Sequence, residues 1–153
     1  MSVARMRNIG AFIMAVFADM IPNIVAGSGT DNVESDGEYI NRVGYESAQV
    51  VITWTATLAE AATLSIAANV QDDSEGDGAD VADFGDALAN TVVATGGSGG
   101  STETGTTVLN VNLEEAKAYI RTQVTADLSA ANTDTAEVAV TVILGGAVEV
   151  PAA

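Results

Sequence analysis

The sequence predicts an all-β chain folded as an antiparallel β-sandwich of about six or seven strands, preceded by an N-terminal helix or arm. Three observations carry this. Period-two alternation of apolar and polar residues recurs along most of the chain. Turn-forming clusters of Gly, Asn, Asp and Ser separate the alternating runs. No long helical pattern of the kind that joins parallel strands lies between them.

Taken in order, residues 1–26 form an apolar N-terminal helix or arm and residues 27–153 a single sandwich domain. The first segment has Arg5 and Arg7 followed by Ile9 to Ala18, which gives it the look of a signal peptide. Asp19 interrupts the apolar run, which is too short to span a bilayer. Ile9, Phe12, Ile13, Val16, Phe17 and Met20 follow helical spacing, with Asn8 as a cap and Pro22 as a stop. The same residues also fit an extended arm, because Ile9, Ala11, Ile13, Ala15 and Phe17 alternate. A short helix with such a stripe must pack on something: on its own sandwich, where it is structural, or on a neighbouring subunit or the capsid, where these six residues are the candidate interface.

Gly27 to Glu38 is loop chemistry. In Ala48–Leu58 and Leu64–Val70 the even-numbered residues are apolar and the odd-numbered ones mostly polar. The two runs read as an antiparallel hairpin, even-numbered residues inward. A long acidic stretch from Gln71 to Asp86 reads as an exposed loop, and Thr91–Thr95 as a short strand. Gly96 to Ser101 reads as a flexible tip. Leu109, Val111 and Leu113 alternate, and Asn112 to Glu115 resembles a capping box opening a short helical turn. Ile120 to Leu128 and Val138 to Leu144 supply the last strands.

The chemistry of the chain excludes more than it offers. Against 21 acidic residues stand five basic ones, for a net charge of −16, so no basic patch exists to displace counterions from phosphates. Nucleic acid and anionic membrane surfaces are therefore not expected partners. Histidine and cysteine are both absent, which removes the commonest general base and metal ligand, and any disulfide. A Ser–Lys site would have to use Lys117, and Glu114 and Glu115 beside it would keep it charged. The glycine run lacks the lysine of a phosphate-binding loop. No catalytic residue is expected, and the chain reads as a non-enzyme. No cofactor is expected either, with one metal option. Asp73, Glu75 and Asp77 precede Gly78 at alternate positions, like the first half of a calcium loop, but the twelfth position is Phe84 rather than Glu.

Two blocks carry a resemblance. Gly29-Thr-Asp-Asn-Val through the Ala48–Trp54 strand, and Tyr119-Ile-Arg-Thr-Gln-Val through Thr133-Asp-Thr-Ala to Leu144-Gly-Gly, are similar in texture and order to small β-domain structural proteins of tailed phages. That group includes capsid decoration, or cement, proteins. The resemblance implies a virion subunit assembled in the host cytoplasm, a homo-oligomer such as a trimer, with the major capsid protein as partner. It transfers no single residue. A tail-tube, tail-terminator or head–tail connector subunit is the alternative, and a surface-layer or fibre module the next.

Overall fold

The computed structural model describes residues 15–129 and 133–147. Among them are nine strands and no helix: β1 (Ala15–Val25), β2 (Val33–Asp36), β3 (Ile40–Asn41), β4 (Tyr45–Leu58), β5 (Thr63–Asp73), β6 (Ala82–Thr95), β7 (Ser101–Asn112), β8 (Tyr119–Leu128) and β9 (Thr135–Ala147). They make two antiparallel sheets. One has the order β1-β9-β4-β7; the other has β2-β8-β5-β6, with β3 also on β8.

The pairings are nested. β1 pairs with β9, β2 with β8, β4 with β7 and β5 with β6, so the chain is one long hairpin folded over on itself. The loop between β5 and β6 is its tip. Two four-strand rows linked in this nested way are the wrap of a jelly roll. The predicted sandwich is therefore present, in this particular topology.

Alternation places the core. In β4 every even position from Ala48 to Leu58 is buried; in β5 so is every even position from Leu64 to Val70. Val138, Val140, Val142 and Leu144 of β9 meet them from the first sheet, and Ile120, Val124, Ala126 and Leu128 of β8 from the second. Among the described residues Trp54 is the one buried aromatic, and it seats where β7 has no side chain: a Cβ at Gly105 would lie 2.3 Å from the indole ring.

Four expectations are corrected. β4 and β5 are not a hairpin; β4 pairs with β7 and β9, β5 with β6 and β8. The turn between them carries the chain from one sheet to the other, with Ala61 at a φ of 61°. The glycine run is built into that corner. Gly96 exchanges backbone hydrogen bonds with Ala61 and Ala62, and a Cβ there would meet the Ala59 carbonyl at 2.0 Å. Half of the acidic stretch is strand: the loop is confined to residues 74–81. Finally, Ala15–Val25 is a strand paired with β9, not a helix. The extended alternative holds there because an apolar run this short satisfies both periods, and β9 offers backbone partners that only a strand can use.

Candidate functional site

The acidic loop is organised by its own carboxylates and by Lys117. Asp72 and Asp73, at the end of β5, are buried. Asp72 accepts from the Lys117 backbone N–H at 3.0 Å, and the Lys117 ammonium lies 3.5 Å away. Asp73 Oδ2 accepts from the Gly78 N–H at 2.6 Å. Asp80 closes the loop: it accepts from the Ser74 N–H and hydroxyl and sits 3.2 Å from Lys117 Nζ, which also donates to the Asp80 carbonyl. Asp80 is held well below the usual carboxylate range, first by its hydrogen bond with the Asp73 carboxyl, then by the Ser74 donors. For Lys117, burial works against the charge, but Asp80 and Asp72 outweigh it and raise its pKa. The lysine's partners are thus Asp72 and Asp80, not Glu114 and Glu115.

The three residues of the calcium expectation point to different tasks. Asp73 caps Gly78, Asp77 accepts from the Ala79 N–H, and Glu75 is exposed. Among the described residues no group of three or more acidic side chains is arranged to hold a metal ion. Tyr119 and Tyr39 flank the same corner. A Cβ at Gly76 would touch the Tyr119 ring, one at Gly78 would lie 3.3 Å from the Tyr39 hydroxyl, and Arg121 stacks 5.1 Å over Tyr39. Arg121 also bridges Asp36 at 2.9 Å, and Arg42 donates to the Lys117 carbonyl. All three basic residues in the described part are therefore engaged within the molecule.

Of the candidate interface residues, Ile9, Phe12 and Ile13 lie outside the described residues. Val16, Phe17 and Met20 lie on β1, opposite Ile143, Val142 and Ala139. β1 ends its sheet, so one side of its backbone has no strand partner among the described residues. The register shifts between Ile21 and Ile24, around Pro22, whose missing N–H suits an edge strand.

The two outer faces of the sandwich differ in charge, which the sequence did not reveal. On β4, β7 and β9 the outward positions carry threonines in matched ranks: Thr53 opposite Thr106, Thr55 opposite Thr104, Thr57 opposite both Thr102 and Thr135. Gln49 and Asn110, bonded to each other at 3.0 Å, continue the face. Glu137 is the one charged side chain among the outward positions of these strands. The opposite face carries Glu34, Asp36, Asp83 and Asp127, whose charge is partly met by amides. Gln123 donates to Glu34 and Asp36; Asn69 and Gln71 both donate to Asp83.

No family model matches the chain, and no curated protein does. Solved structures do. The structure of infectious bursal disease virus Gx strain aligns with 90% of this chain and 34% of its own, with a TM-score of 0.50 and 9% identity. The VP2 subviral particle of infectious bursal disease virus aligns over 87% of this chain and 33% of its own, with a TM-score of 0.47 and 12% identity. The chain thus spans about a third of the length of these proteins. At such identity the likeness speaks to the fold alone. Among the described residues no helix is long and apolar enough to cross a membrane.

Proposed function

We propose that this chain is a non-catalytic structural subunit of a virion, of the capsid-decoration or cement kind, which binds an assembled shell and stabilises it. The observation that carries this reading is the jelly-roll wrap, 90% of the chain aligning with a solved structure of infectious bursal disease virus Gx strain. Jelly rolls also serve lectins and cupins, so the fold needs support from the surface. An acidic outer face suits an outward position on a particle, because like charge keeps particles from clumping. With no histidine or cysteine in the chain, an enzymatic reading has few groups to call on. The major capsid protein is the partner, and of the six candidate interface residues Ile9, Phe12 and Ile13 are the anchor, since Val16, Phe17 and Met20 belong to β1.

The test mixes purified protein with particles that lack it and sediments them. Saturable co-sedimentation and greater heat resistance of the loaded particles are expected. No binding overturns the reading, and rings or tubes of the protein alone in negative stain replace it with the tail alternative. Deleting residues 1–13, which leaves β1 whole, separates the anchor from the fold. The truncated protein should fold as before and bind particles far more weakly; undiminished binding removes the anchor.

A further inference from the structure

We infer that the threonine face of β4, β7 and β9 is a self-association surface on which a second copy of this chain docks back to back. Two copies at −16 repel wherever their acidic surfaces meet. On the β2-β8-β5-β6 side, Glu34, Asp36, Asp83 and Asp127 would face their counterparts, with Arg121 offsetting Asp36 alone. On the other side only Glu137 would. In a chain this acidic, a charge-poor face of several strands is where identical copies approach at least electrostatic cost.

Chemistry adds to this. A two-fold axis sets the same patch against itself, so the patch must complement itself. A hydroxyl both donates and accepts, so threonine ranks can pair with threonine ranks, whereas carboxylates can only accept. Thr53, Thr55, Thr57, Thr104 and Thr106 are exposed, and their methyl groups with Val51, Val108 and Ile143 give the face apolar area. Val108 is 44% exposed on a strand whose neighbouring apolar residues Leu109 and Val111 are buried. About eleven residues of three strands, at about 3.4 Å per residue and about 4.8 Å per strand, give roughly 540 Å². Two copies together would bury about 1,100 Å², just above the roughly 1,000 Å² that marks a specific interface. This deepens the shell-subunit reading, but its test uses the purified protein alone, so a failure to self-associate and a failure to bind particles are separate results.

The experiment is sedimentation equilibrium of the full chain over a concentration series at low and high salt. A dimer is expected, strengthened by salt as the remaining repulsion is screened. Thr53→Glu combined with Thr102→Glu should weaken dimerisation by roughly 100-fold or more, since like charges set against each other across an interface are costly. Ala67→Glu, on the opposite face, should leave the dimer unchanged. Circular dichroism melting checks that all variants fold. A second measurement uses the absence of native cysteine: Thr55→Cys should label with a thiol reagent more slowly in the dimer than Ala67→Cys. A chain that stays monomeric at every concentration, a dimer indifferent to the paired Glu substitutions, or equal labelling at both sites overturns the inference.

Discussion

At the scale of residues, two positions test the structure sharply. Gly105 has no side chain because Trp54 occupies the space, a fit visible only once β7 lies against β4. Gly105→Ala must displace the indole and should lower stability by about 1–3 kcal/mol, the usual cost of overfilling a packed core. Thermal or urea unfolding checks this, with the Trp54 fluorescence as the reporter. Asp80 tests the loop clasp. Its depressed pKa means that the folded state keeps the charge while the unfolded chain takes up a proton near pH 4. The stabilisation is therefore complete above the ordinary carboxylate range and drains away as pH falls through the folded value. Asp80→Asn should melt at a lower temperature than the parent at pH 7, and the gap should close as pH falls from about 4 towards 2. A gap constant with pH would show that the clasp does not act through charge. Calcium tests the remaining option at the same loop. Calorimetry is expected to show the same melting temperature with calcium and with chelator, whereas a calcium-dependent rise would put a cation on Asp73. The sequence displayed these carboxylates but not their fates. Burial of Asp72 and Asp73 depends on Lys117 and Gly78, which tertiary structure alone brings to them.

At the scale of elements, strand faces were legible and strand partners were not. Alternation states which residues of Ala48–Leu58 and Leu64–Val70 point inward, because a one-residue slip would reverse every side chain. It says nothing of which strand lies alongside, and β4 and β5, neighbours in sequence, proved to belong to different sheets. Ile52→Asp or Ile66→Asp should unfold the domain, since each side chain is wholly buried. Thr53→Asp, at an exposed position, should leave the melting temperature nearly unchanged. Equal damage from all three would contradict the register. β1 shows the opposite difficulty: its apolar run fits helix and strand alike, and the choice came from the open edge of β9. Deleting residues 1–26 removes β1 and bares that edge, so the shortened protein should lose thermal stability and aggregate. The shorter deletion of residues 1–13 should do neither.

At the scale of the whole molecule, composition stated the net charge but not its placement. Placement follows from the nested pairing, which gathers the threonine-bearing strands into one sheet and most acids onto the other sheet and its loops. The function proposed above is that of a particle subunit with one acidic side turned outward and one charge-poor side for contact. Its central claim is that the chain is an integral, repeated part of a particle. The most direct measurement is its copy number in purified particles, taken as the molar ratio to the main shell protein by quantitative mass spectrometry. The account predicts a fixed ratio, reproduced across preparations and unchanged by a salt wash. Absence from particles, or a trace amount that varies between preparations and washes away, would contradict it.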